Sequence, residues 1–167
     1  MSASRGNLLF LWLSALVVTL DQWSKYVIEH RLAFMQAIDV LPVLQITRLH
    51  NIGVAFSFFD YAGDWQRWVF TALAVIVSVA MAIWLSRIDR GAHVLSSAVA
   101  LILGGAIGNA IDRIRLGHVI DFIYAHWNEH YFPAFNVADS AITVGAGLLL
   151  LDTWLASRRA DSAGQEP

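Results

Sequence analysis

Cysteine is absent from the 167 residues. That excludes disulfides, thiolate nucleophiles and Cys-held zinc or iron–sulfur centres. Charge is scarce as well: Asp, Glu, Lys and Arg make up 14% of the chain, against about a quarter in a typical soluble domain. The net charge of −2 supplies no basic field for nucleic acid. No Ser–His–Asp pattern and no glycine loop of the phosphate-cradling kind is present. What fills the chain is apolar, 57% of it hydrophobic with a mean hydropathy of +0.57, the balance of a membrane protein.

Four apolar runs, residues 8–26, 65–85, 93–111 and 138–155, each approach the ~20 residues that a ~30 Å hydrocarbon layer requires. The first is read as a retained helix rather than a cleaved signal peptide, because Asp21, Gln22 and Lys25 stand in its last turns and three more runs follow. Trp12, Trp23, Trp65, Trp68, Trp84 and Trp154 fall near run ends, where an amphipathic ring sits at the membrane interface. The expected fold is therefore a mainly α membrane protein, one integral-membrane domain over residues 1–167 with four transmembrane helices. Both termini and the loop at 86–92 share one face. Arg5, Arg87, Arg90, Arg158 and Arg159 crowd its short segments, which places it in the cytoplasm.

The opposite face owns two outer segments, residues 27–64 and 112–137. In the first, "VLPVLQITRLHNIGVAFSFF", Val43, Gln45 and Thr47 alternate with Leu44, Ile46 and Arg48 and β-branched residues are frequent, a turn is expected at Asn51 and Gly53, and a strand resumes over residues 54–59. A small extracytoplasmic β-structure on the membrane surface follows. The second segment is aromatic, and its pattern assigns no element.

Ionisable and amide side chains gather at that outer end: Asp21 and Lys25 in the first run, Asn109, Asp112 and Arg113 at the end of the third, Asp121 in "VIDF", Asn136 and Asp139 at the start of the fourth. Near-membrane ionisable groups are functional candidates. Each also has a plainer explanation. Asn136 and Asp139 suit a helix cap. Asp21 and Lys25 suit an i,i+4 ion pair, Asp112 and Arg113 a local pair at the headgroups, and Asn51 and Gly53 a simple turn. Gly104 and Gly108 read as a site of close helix approach. Asp121 is the hardest to explain away, an acid among apolar neighbours. Two carboxyls held together share a proton. The ionised one takes a proton from water while the other polarises a carbonyl, and this aspartic-protease chemistry needs no metal and no cofactor. "HWNEH" at residues 126–130 matches H-x-x-E-H. It is read as a chance match in a short connection with no third ligand.

In order, "DQWSK" (21–25), "NIGVAF" (51–56), "GGAIGNAIDR" (104–113), "VIDF" (119–122) and "FNVADSAI" (135–142) resemble the motifs of the bacterial lipoprotein signal peptidases, the signal peptidase II family, over nearly the whole chain. The resemblance implies an aspartic endopeptidase of the bacterial inner membrane that cuts prolipoproteins just before a diacylglyceryl-modified cysteine. It implies Asp121 and Asp139 as the catalytic dyad, and Asn51, Gly53, Asn109, Arg113 and Asn136 lining the site with Asp21 shaping it. It also implies a β-cradle beside the helices, lipidated prolipoprotein substrates, contact with membrane lipid, inhibition by globomycin-type peptides, and a monomer with its site near the periplasmic face. The competing readings are a small four-helix proton- or cation-coupled transporter, which would spread its acids through the membrane depth, and a non-enzymatic scaffold subunit, which would leave Asp121 without a task.

Overall fold

The computed structural model describes residues 7–53, 65–128 and 130–163. The strand expected over 54–59 lies outside them. A 3₁₀ turn (Leu8–Phe10) leads into α1 (Leu11–Arg31). Then follow β1 (Ala37–Leu41), β2 (Leu44–Asn51), α2 (Trp65–Leu85), α3 (His93–Leu116), β3 (Val119–Trp127), β4 (His130–Tyr131) and α4 (Val137–Ala163). Among the described residues, three helices are long and apolar enough to cross a membrane: α2, α3 and, over Val137–Arg158, α4. Asp21, Lys25, Glu29 and Arg31 dilute the apolar content of α1.

Three helices run on beyond the C-terminal ends of their apolar stretches. α1 begins at Leu11 and runs on to Arg31 rather than ending at 26, and α4 reaches Ala163 rather than 155. α3 continues past 111 to Leu116, so Asp112 and Arg113 are helical and not part of a connection. Its end is set by Gly117, whose φ of 84° puts it in the left-handed region and whose N–H bonds the Arg113 carbonyl at 3.1 Å.

α3 is the hub, packed against α1, α2 and α4, and it is the most buried of the three candidate spans. Its glycines make this close packing feasible. A Cβ on Gly104 would meet Ser14 O at 2.9 Å and Val17 Cβ at 2.8 Å in α1, and one on Gly105 would collide with the Ala138 carbonyl of α4. The close approach expected at Gly104 and Gly108 is therefore present, shared between two neighbouring helices. α1 turns a polar stripe inward: Ser14, Val17, Asp21 and Lys25 are its buried residues, spaced along one helical face. Trp12, Leu16, Leu20, Trp23 and Tyr26 are exposed. This inverted amphipathicity suits a helix whose outer surroundings are lipid and whose polar groups must find partners inside.

At the terminal end, Asn7 Nδ2 donates to the Asp89 carbonyl at 3.0 Å and to Ser96 Oγ at 2.7 Å, tying the start of the chain to the α2–α3 loop over a cluster of Leu85, Ile88, Val99 and Ala100. At the other end the four strands form an antiparallel sheet in the order β1-β2-β3-β4. β1 and β2 supply the β-structure expected of the first outer segment, and β3 and β4 resolve the second, whose pattern named no element.

Candidate active site

Asp121 sits near the buried start of β3, a residue only 2% exposed. β2 pairs with β3 so that Asn51 lies opposite Val119 and Leu49 opposite Asp121. Asn51 and Asp121 are thus diagonal neighbours on one face of the strand pair, and Asn51 Nδ2 donates to Asp121 Oδ2 at 2.8 Å. The other side of that amide makes the expected turn: Asn51 Oδ1 accepts the Gly53 N–H at 2.7 Å. Gly53 has φ of 102°, and the Phe70 ring of α2 fills the place a Cβ would take, so this turn admits glycine and little else.

The segment before α4 brings the second acid alongside. Phe135 pairs with Ile123 through backbone bonds of 2.8 and 3.0 Å, which sets Asn136 next to β3. Asn136 is fully buried. Its Nδ2 donates to Asp121 Oδ1 at 2.8 Å, and its Oδ1 accepts the Asp139 N–H at 2.9 Å. Asp139 Oδ2 in turn accepts the Asn136 N–H at 3.2 Å. This reciprocal pair is a capping box, so the capping role read from the sequence is real. It also links the two acids through one residue: the Asn136 side chain donates to the Asp121 carboxylate and its backbone N–H to that of Asp139. The remaining oxygen, Asp139 Oδ1, accepts Asn109 Nδ2 from α3 at 2.7 Å.

Behind these groups lies an ionic layer. Lys25 Nζ contacts Asp21 Oδ2 and Asp112 Oδ2, both at 2.8 Å, and donates to Asn109 Oδ1 at 3.1 Å. All four residues are buried. The i,i+4 pair is present, but it is one edge of a network spanning α1 and α3. Asp112 pairs with Lys25 rather than with Arg113. It also accepts Gln22 Nε2 at 2.8 Å and the Ile120 N–H at 3.2 Å, one residue before Asp121. Asp21 Oδ1 caps α4 from another helix by accepting the Ala138 N–H at 3.0 Å. A Cβ on Gly108 would lie 2.6 Å from Asp21 Oδ2, so that glycine makes room for the acid. Gln22 and Lys25 were not among the expected site residues. "DQWSK" displays both, but their partner Asp112 is about ninety positions away.

Arg113 lies over the Phe70 ring, 5.6 Å from its centroid, and Nη1 reaches the Asn109 carbonyl at 3.4 Å. A cleft of about 520 Å³ opens beside the acids, lined by Asn51, Phe132, Phe135, Asp139, Thr143 and Val144 among others. Val144 is 55% exposed, so the cleft reaches the outer surface of α4. Burial pushes the Asp121 carboxyl up to about 6. The Asp139 charge adds to the rise, while hydrogen bonds from Asn51 and Asn136 and the Lys25 charge act against it. Of the eight expected residues, Asn51 and Asp139 line this cleft; Asp121, Asn109, Asn136, Asp21 and Gly53 connect to them through the hydrogen bonds above, and Arg113 reaches the Asn109 carbonyl. His126 and His130 do not join them. They lie on the antiparallel β3 and β4, with Trp127 opposite His130, which lacks the helical i,i+4 geometry of the zinc-binding pattern, and Glu129 is outside the described residues.

A family model described as Signal peptidase (SPase) II matches residues 13–155. Over 153 residues the chain is 50% identical to the lipoprotein signal peptidase of Acinetobacter baylyi, covering 92% of this chain and 86% of that one. It is 50% identical over 163 residues to that of Pseudomonas syringae pv. tomato, covering 96% and 94%. A solved bacterial membrane enzyme, determined by the in meso method at 2.3 Å, superposes with a TM-score of 0.78 at 26% identity, covering 98% of this chain and 96% of that one.

Proposed function

The chain belongs to the signal peptidase II family, and from that premise we propose that Asp121 and Asp139 are the catalytic dyad with which it cleaves prolipoproteins before a diacylglyceryl-modified cysteine. The enzyme is an aspartic endopeptidase that processes lipoproteins. The observation that carries the assignment of the dyad is the shared Asn136 side chain, bonded at 2.8 Å to one acid and at 2.9 Å to the amide of the other.

The reaction follows from the surroundings. With one proton on the pair, the ionised carboxylate takes a proton from water, and the resulting hydroxide attacks the carbonyl carbon before the cysteine. The protonated carboxyl hydrogen-bonds the carbonyl oxygen as charge builds there. Collapse breaks the C–N bond, and the cysteine amine leaves with a proton from the dyad. Asp121, buried and raised to about 6, is the proton-holding member. Asp139 faces the cleft, where the substrate enters. Arg113, Asn51 and Gly53 line the approach, while Asn109 and Asn136 orient the acids. Asp21, with Lys25 and Asp112, fixes the helices that carry them. The signal-peptide helix and acyl chains dock from lipid along α4, where burial of apolar surface contributes about 25 cal/mol per Å².

The whole chain serves as a single unit: a monomer in the bacterial inner membrane with α1 as a fourth span, termini cytoplasmic and sheet periplasmic. Globomycin-type peptides would compete for the same cleft. The pH dependence tests the assignment. The dyad needs one proton, and Asp121 releases its proton as pH rises through about 6, so kcat/KM falls on the alkaline side of about 6. Bound substrate desolvates the pair further and moves the corresponding limb of kcat to higher pH. A purified enzyme whose kcat/KM stays flat from about pH 5 to about pH 9 would refute the shared-proton reading.

A further inference from the structure

The two faces of the β2–β3 pair carry different chemistry. Asn51 and Asp121 share one face. Side chains alternate along a strand, so His50, opposite Ile120, and His118, directly before β3, belong to the other. There the two imidazoles stack with centroids 3.8 Å apart and planes 23° apart, and Phe34 covers His50 at 4.5 Å. The Nε2 atoms of both rings are buried and have no hydrogen-bond partner among the described residues. This column joins the end of β2 to the α3–β3 connection, one residue from Asn51 and three from Asp121.

We propose that His50 and His118 are positioning residues: uncharged, their stack clamps the end of β2 to the α3–β3 connection and so holds Asn51 against Asp121, and uptake of protons releases it. The inference rests on the role proposed for Asp121. One proton places a charge in a stack with an apolar cover and no acceptor at either Nε2. A second sets two cations face to face. The groups facing the stack pull in both directions. Glu29 of α1 and Asp112 of α3 favour protonation, as does a backbone contact at Leu116, while Arg48 of β2 and the partner imidazole oppose it. Burial outweighs these and lowers both rings below the ordinary imidazole value of 6.5. The sign is then set: the unfolded chain binds these protons more readily, so acidification through and below 6.5 weakens the clamp, and the neutral stack is intact above it.

Amide hydrogen exchange in residues 49–53, corrected for intrinsic rates and compared between about pH 7.5 and about pH 5, tests this. The unaltered enzyme is expected to lose at least tenfold protection on acidification. His50→Phe, which keeps a ring in the column but cannot take a proton, is expected to retain it and to show a shallower acid limb of kcat/KM. Asp121→Asn is expected to lose protection as the unaltered enzyme does, which separates the clamp from the dyad assignment. Histidine ¹⁵N shifts of the unaltered enzyme give a readout that needs no variant: both rings must titrate below 6.5 in step with the loss of protection. Protection that is unchanged by pH, that falls equally in His50→Phe, or that is unrelated to the ring titrations overturns the proposal.

Discussion

Asp121→Asn and Asp139→Asn each lower cleavage of a lipidated precursor by at least ~10³-fold, with the fold intact and with chelator making no difference to the unaltered enzyme. The size follows from the reaction: either amide removes the proton shuttle at one end of the attack, and its partner cannot serve as both acid and base. The fold survives for different reasons at the two positions. An amide at position 121 is neutral in a site where burial already penalises charge, although it must turn away from one of the two donors, Asn51 and Asn136, that now bond the carboxylate. An unmade bond of that kind costs about 1–3 kcal/mol. An amide at position 139 keeps one acceptor for Asn109 or the Asn136 N–H and forfeits about 0.3–1 kcal/mol of charge–dipole attraction at the start of α4. Cleavage of the diacylglyceryl precursor by purified variants, read beside their melting curves, checks both halves. Retained activity in either variant ends the assignment.

Lys25→Met lowers the melting temperature in detergent by roughly 10 °C or more. The Lys25 ammonium lies 2.8 Å from both Asp21 and Asp112, and the side chains involved are no more than 3% exposed. Removing it leaves two carboxylates buried beside each other, a loss of about 3–5 kcal/mol for one broken buried pair. Cleavage falls with it, because Asp21 caps the start of α4 and Asp112 holds the Ile120 N–H, the two backbone points from which Asp139 and Asp121 project. Combining Lys25→Met with Asp112→Asn recovers part of the stability by removing one stranded charge. A melting temperature within about 2 °C of the unaltered enzyme would mean that the ionic layer does not hold these helices.

Part of this arrangement is legible in the sequence alone. Apolar runs and tryptophan placement located α2, α3 and α4, because span length is a local property. The ordered motif blocks named the eight residues proposed for the site. The ends of α1 and α3 escaped because Asp112 and Lys25 look like charges that close a span, whereas they pair with each other between the two helices. β3 escaped for a different reason: its partner β2 lies about seventy residues upstream, and the aromatic run from 114 to 135 alternates too weakly to announce a strand. The His50–His118 stack joins residues 68 positions apart, a pairing that no local pattern encodes.

The proton shared by the two acids is most directly tested by following the Asp121 carboxyl through its titration by ¹³C NMR, in the unaltered enzyme and in Asp139→Asn. Burial and the Asp139 charge together raise it to about 6, so the midpoint is expected near 6 in the first, and lower, though still above the ordinary 3.8, in the second. A midpoint at the ordinary value, indifferent to what occupies position 139, would contradict the account.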